Sequence, residues 1–259
     1  LVSVDRLLSD GDPAVFRIER PHARSPFVLT CDHGGRQIPQ KLGNLGLDEE
    51  ALRAHVAWDI GIADLGSRLS KRLDAFLIVQ NYSRLVIDMN RPLGAPDSIV
   101  KLSERTRVAA NEGLSAGEIR RRVEELFEPY HGRIRTELDA RQAAGRPSIL
   151  VALHSFTPIY MDKPREWHAG VLYGRDARLA HRMLVALRSD DTLVVGDNQP
   201  YAVSDATDFS VVAHGEQRGL AHVEIEIRQD LLIHEADLET WARRLGDILE
   251  EAATHVLET

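Results

Sequence analysis

Short apolar runs alternate with longer amphipathic stretches along the 259 residues, and that alternation constrains the fold more than any other feature. The runs at 27–31, 76–80, 85–89, 149–153, 171–173, 193–195 and 223–227 are β-branched-rich, bounded by polar or turn residues, and mostly too short for helices. Each is expected to be a buried strand. Between them, 49–57, 60–73, 118–144, 177–188 and 238–256 carry apolar residues at helical spacing. The third helix opens at Ser115 with Glu118 three residues on, a capping box in which hydroxyl and carboxylate each satisfy an orphan backbone N–H, and it closes near Gly145 and Pro147. Strands alternating with helices predict an α/β protein whose sheet is covered on both faces. No Ser/Gly/Pro-rich linker divides the chain, so one domain over 1–259 is expected. Two polar stretches, 91–111 and 198–218, have no steady period; loops that long in a compact domain are usually functional or disordered.

In open α/β sheets ligands collect outside the carboxyl ends of the strands, so the residues that follow each apolar run carry the functional information. The first run leads into Asp32, His33, Gly34 and Gly35, the fourth into His154 and Ser155, and the last holds Glu224, Glu226 and Arg228. Two histidines and a carboxylate at strand ends are the ligand types of a catalytic zinc, which takes three protein ligands and leaves one position open. The spacing His-x-x-Glu fails at His33 because Arg36 stands three residues on, so Asp59 is the candidate third ligand, with a helix N-cap as its alternative role. In a strand Glu224 and Glu226 share one face; the pair is either a solvated edge or a functional carboxylate that moves a proton, and Glu226 lies nearer the strand's C-terminal end. Around the 85–89 run, Arg84, Asp88, Asn90 and Arg91 gather guanidiniums that match carboxylates, which points to an anionic substrate or to internal ion pairs.

Composition excludes several classes. With 32 basic and 40 acidic side chains the net charge is −8, which lacks the basic footprint of a nucleic-acid or anionic-membrane binder. The single cysteine, Cys31, forms no internal disulfide and fits a reducing, cytoplasmic setting. No apolar run approaches a membrane span, and the first residues lack the pattern of a signal peptide. Signatures of serine hydrolases, P-loop proteins and Rossmann dinucleotide binders are missing.

The ordered set of these segments resembles the N-formylglutamate amidohydrolases, a family related in fold to the zinc carboxypeptidases. Asp32-His33-Gly34-Gly35 with Pro39, Trp58-Asp59, Ser83-Arg84 through Asp88, Asn90, Arg91 and Pro92, Leu153-His154-Ser155, and Glu226-Ile227-Arg228 are similar to its motifs in order. The arginine segment is the most specific of them. Asn198-Gln199-Pro200-Tyr201 resembles a further family segment but continues as Ala202-Val203-Ser204-Asp205 where a glycine pair is expected. The resemblance implies a three-layer α/β/α sandwich with a mixed central sheet, of the phosphorylase/hydrolase-like kind. It implies zinc or another divalent metal on His33, Asp59 and His154, Glu226 as general base, and Arg84, Asn90 and Arg91 as substrate-binding residues. The implied reaction is hydrolysis of the formyl or acyl amide of a small anionic amino-acid derivative such as N-formyl-L-glutamate. A related N-acyl amino acid deacylase, a small-peptide hydrolase and a metal-free binder of an acidic ligand are the alternatives.

Overall fold

The computed structural model describes residues 6–257. In chain order the elements are β1 (Phe16–Glu19), β2 (Phe27–Cys31), α1 (Glu49–Arg53), α2 (Ile62–Leu73), β3 (Phe76–Gln80), β4 (Leu102–Ser103) and β5 (Thr106–Arg107). Next come α3 (Ala116–Arg122), α4 (Glu128–Ala143), β6 (Ile149–Phe156), β7 (Ile159–Tyr160), β8 (Lys163–Pro164) and β9 (Ala169–Leu172). The chain ends with α5 (Arg178–Arg188), β10 (Val195–Asp197), α6 (Ser210–His214), β11 (Ala221–Arg228) and α7 (Glu235–Leu257). Seven strands form a mixed sheet in the order β1-β3-β2-β6-β11-β9-β10, while β4-β5 and β7-β8 are separate two-stranded hairpins. β3, β2, β6 and β11 run parallel, and β1 and β9 join them antiparallel. The mixed three-layer expectation is met.

Alternation along each strand sorts side chains to two cores. Leu29, Leu77, Val151 and Val223 face the helices α2, α5 and α7, where Leu69, Leu184 and Leu245 meet them. Val28, Ile78 and Leu150 face the other way, against Tyr130, Ile134 and Leu138 of α4 and the buried 85–89 segment. Each such fully buried leucine or isoleucine contributes roughly 1.5–3 kcal/mol. On β11 the apolar Val223, Ile225 and Ile227 take the first face, which sends Glu224 and Glu226 to the second. The paired Cα positions Glu226 and His154, and Glu224 and Ala152, bring that face beside the end of β6.

The 85–89 run is not a strand. Its apolar side chains are buried, as strand logic requires, but its backbone is held by polar side chains instead of a ladder. Ser83 Oγ accepts from Leu85 N–H, Asn111 Nδ2 donates to Leu85 O, Arg122 Nη1 to Val86 O, and the His131 ring is bonded to Met89 O. Periodicity reports burial, and burial alone does not make a ladder. Other boundaries shift. The 49–57 helix stops at Arg53, which releases His55 into a loop. The long helix carries the Ser115–Glu118 capping box as expected and is interrupted by a π-helical turn at Val123–Phe127. The terminal strand of 193–195 lies at Val195–Asp197, and the edge strand β1 was not foreseen because its Phe-Arg-Ile-Glu pattern is only half buried. No described helix is long and apolar enough to cross a membrane.

Candidate active site

The carboxyl ends of β2, β3, β6 and β11 converge on one cavity of about 440 Å³, lined among others by His33, Asp59, Arg84, Asp88, His154 and Glu226. His33 leaves β2 through a sharp turn in which Gly34 N–H donates to Cys31 O. Gly35 lets that turn touch the next loop: a Cβ there would lie 2.1 Å from Asn81 O, a contact open only to glycine. Asp59 N–H donates to His33 O at 2.9 Å, so the loop before α2 is fastened to the loop after β2. Asp59 does not cap α2, whose N-cap is Gly61; its side chain turns into the cavity instead.

His33, Asp59 and His154 are each buried, and one ligand atom from each lies within 4.8 Å of the others. Asp59 Oδ2 is 2.9 Å from His154 Nδ1 and 3.5 Å from His33 Nδ1. The opposite ring nitrogens meet two further carboxylates. His33 Nε2 is 2.7 Å from Asp88 Oδ1, and His154 Nε2 is 3.6 Å from Asp32 Oδ2. Asp32 is in turn anchored by the Tyr130 hydroxyl, which donates to Oδ1 at 2.7 Å. Asp88 also accepts from Arg84 Nε and Nη2, and Arg84 Nη1 stands 3.7 Å from Asp59 Oδ1. Asp32 stands in the strand-end motif that the sequence singles out but was given no role there, and Tyr130 was not foreseen as part of the site.

The charges follow from burial and these neighbours. Burial opposes ionisation of Asp88, but Arg84 and then His33 outweigh it and hold the carboxyl well below its ordinary range. Burial likewise opposes charge on Asp32 and Asp59, and their histidine partners keep both ionised. Burial favours a neutral His154, yet Glu224, Asp32 and Asp59 together raise its pKa well above the usual value. On β11, burial pushes Glu224 up to about 7 and Glu226 well above the ordinary carboxyl range, with His154 opposing in both cases. Glu226 Oε2 is buried without a hydrogen-bond partner, whereas Glu224 Oε2 receives Asn90 Nδ2 at 3.3 Å.

Arg84, Asn90 and Arg91 all line the cavity, and each already bonds the protein itself. Asn90 Oδ1 accepts from the backbone N–H groups of Phe209 and Ser210, which seats α6. Arg91 donates from Nε to Asp97 and from Nη1 to Thr207 O and Asn90 O. His55 also lines the cavity and pairs with Glu104 of the β4–β5 turn at 2.5 Å, and Tyr201 of the 198–208 loop lines it too.

Fold and site together define an α/β/α protein with a buried two-histidine, one-carboxylate cluster at the strand ends. Residues 25–233 match the profile of the N-formylglutamate amidohydrolase family, and the chain belongs to that family. N-formylglutamate deformylase of Pseudomonas putida is 32% identical over 142 residues, covering 51% of this chain and 52% of that protein, so the match spans about half the length of this curated relative. A gene product of Agrobacterium tumefaciens of known structure is 35% identical, with a TM-score of 0.94 over 97% of this chain and 99% of that one. The N-formylglutamate amidohydrolase of Ralstonia eutropha JMP134 shares the fold at 20% identity, with a TM-score of 0.68 over 95% of this chain and 99% of that one.

Proposed function

We propose that the protein hydrolyses the amide of an N-formylated acidic amino acid, N-formyl-L-glutamate first among them, releasing formate and glutamate, and that it does so with a divalent metal, zinc by ligand type. The observation that carries this reading is the convergence of His33 Nδ1 and His154 Nδ1 on Asp59 Oδ2 in a buried cavity beside Glu226. The residues suit the ion. His33 Nδ1 is buried with no hydrogen-bond partner, and the donor set is that of a catalytic zinc. A divalent ion held by His33, Asp59 and His154 supplies Lewis-acid polarisation of the amide carbonyl and brings the pKa of water toward 7.

The chain's own groups do the rest. Asp88 accepts a hydrogen bond from His33 Nε2, which leaves His33 Nδ1 as the ligand atom on the Asp59 side, and Asp32 stands 3.6 Å from His154 Nε2 on the side of that ring away from Asp59. Glu226 takes a proton from the attacking water and returns it to the leaving amino nitrogen, so that formate and a free amine depart. Arg84 and Arg91, set in place by Asp88, Asp97 and Asn90, give the wall the positive charge that orients a substrate carboxylate. The cytoplasm and a small-molecule partner fit this chemistry.

The test is hydrolysis of a panel of N-formyl, N-acetyl and N-succinyl amino acids by metal-analysed protein, before and after chelation. Expected are about one equivalent of zinc or a similar ion, loss of activity on its removal, and a preference for N-formylglutamate. Full activity without metal would refute the metal assignment, and N-formylglutamate no better than its neighbours would refute the substrate.

A further inference from the structure

The cavity wall has a charge problem for a dicarboxylate. Seven acidic side chains line it, two of them, Glu224 and Glu226, with ionisation opposed by burial, against two guanidiniums, Arg84 and Arg91, both of which already serve internal carboxylates. A substrate with a carboxylate at each end therefore needs a further cation in reach of the cavity, one that is not already neutralised.

Arg165 meets that need. It follows the β7–β8 hairpin, and its guanidinium carbon lies 4.6 Å from the ring centre of Tyr160 and 4.9 Å from that of Tyr201, with Phe156 at 5.7 Å. All three aromatic residues line the cavity. No carboxylate pairs with Arg165 among the described residues, and its Nη1 is buried without a hydrogen-bond partner. Its backbone is fixed at both ends: its N–H donates to Pro158 O at 2.8 Å, and its carbonyl accepts from Arg228, two residues beyond Glu226 on β11. Tyr201, on whose ring Arg165 stacks, lines the same cavity as Glu226 and Arg84. A guanidinium stacked on aromatic faces keeps its planar fork presented edge-on for a carboxylate.

We infer that Arg165, framed by Tyr160 and Tyr201, binds the carboxylate of the substrate that lies farther from the scissile amide, and so selects an N-acyl dicarboxylic amino acid over its neutral counterpart. This rests on the proposed hydrolysis and adds to it a specificity residue outside every motif of the sequence. Tyr201 closes the Asn198–Tyr201 segment, just before the Ala202–Asp205 stretch that stands where a glycine pair is expected.

The experiment compares kcat/KM for N-formyl-L-glutamate and N-formyl-L-glutamine, which differ in charge but hardly in shape, for the wild type, Arg165→Gln and Arg165→Lys. The wild type is expected to prefer the glutamate derivative at least tenfold. Arg165→Gln is expected to reduce that ratio by about 10- to 100-fold, mainly through KM, as loss of a charge-assisted pair does. Arg165→Lys, with the charge but not the fork, is expected to fall between. A ratio that Arg165→Gln leaves unchanged overturns the inference, whether both substrates suffer equally or neither does; the first pattern, with a lowered melting temperature, marks Arg165 as a structural clamp. If the wild type hydrolyses neither compound, the proposed reaction fails, and the inference is read separately by calorimetry of zinc-loaded protein with L-glutamate and L-glutamine. A preference for glutamate that disappears in Arg165→Gln then supports it, and no such preference overturns it.

Discussion

Asp88→Asn tests how the site is held. Asp88 is buried and makes two kinds of bond at once: Oδ1 meets His33 Nε2 at 2.7 Å and Asn90 N–H at 2.9 Å, while Oδ2 accepts two bonds from Arg84. Asparagine has nearly the same shape but carries no charge, and one of its two positions becomes an NH2 that faces a donor. If the NH2 faces His33, the imidazole loses the acceptor that fixes its tautomer, and metal affinity is expected to fall 10- to 100-fold, about 1.4–2.8 kcal/mol. If it faces Arg84, the guanidinium keeps only Asp59 at 3.7 Å, and folding stability falls. Full rupture of a buried pair costs about 3–5 kcal/mol, and the partial exposure of Arg84 with its second carboxylate brings this to roughly 2–3 kcal/mol. That corresponds to a drop of about 5–10 °C in melting temperature for a chain of this size. Zinc competition with a chromophoric chelator and calorimetric melts of the metal-free protein separate the two terms. Wild-type zinc affinity in Asp88→Asn, with the fold intact, would show that Asp88 does not orient His33 and would refute the argument.

Other expectations follow from single contacts. Glu226→Gln is expected to lower kcat by about 10²- to 10⁴-fold with metal content unchanged; retained turnover, or a matching loss on Glu224→Gln alone, would move the proton-transfer role off Glu226. Gly35→Ala places a methyl against Asn81 O, which is backbone and cannot yield, so a loss of about 3 kcal/mol in urea unfolding is expected, together with weaker metal binding through the displaced His33 turn. His131 and His214 form a buried pair, Nδ1 to Nε2 at 3.0 Å, with His131 Nε2 bonded to Met89 O. Burial lowers His131 to about 4 and, with the neighbouring ring, His214 to about 3. Both stay neutral in the folded protein while the unfolded chain takes up protons below pH 6.5, so their contribution is full above pH 6.5 and is lost as pH falls toward 4. The slope is about 1.4 kcal/mol per pH unit for each histidine. Urea melts of wild type and His214→Gln between pH 7.5 and 5 check this, and an identical pH dependence in the variant would count against it.

Much of the architecture was legible because local pattern and burial agree. β2 and β3 lie where their apolar runs predict, and the Ser115–Glu118 box opens its helix, since strand and cap signals are short-range. The polar residues that follow β2 and lie within β6 and β11 were recognisable as site candidates for the same reason: parallel strands deliver their carboxyl ends to one edge, and the sequence marks what stands there.

What the sequence by itself determined, then, is the α/β alternation, the face on which Glu224 and Glu226 lie, and the residue types available at the strand ends. Only the tertiary structure decided what those residues meet. The 85–89 run became a buried turn because Asn111, Arg122 and His131, 26 to 42 residues from the carbonyls they bond, satisfy its backbone. His33 and His154 acquired separate carboxylate partners, Asp88 and Asp32, from loops that no spacing rule relates to them. Tyr160 and Tyr201 came to line the cavity, with Arg165 stacked on both, because the hairpin after β6 and the loop after β10 fold toward each other. Periodicity is a property of neighbours along the chain, whereas a hydrogen bond or a stacked ring needs two distant segments brought within a few ångströms, and that placement is set by packing of the whole sheet and its covering layers.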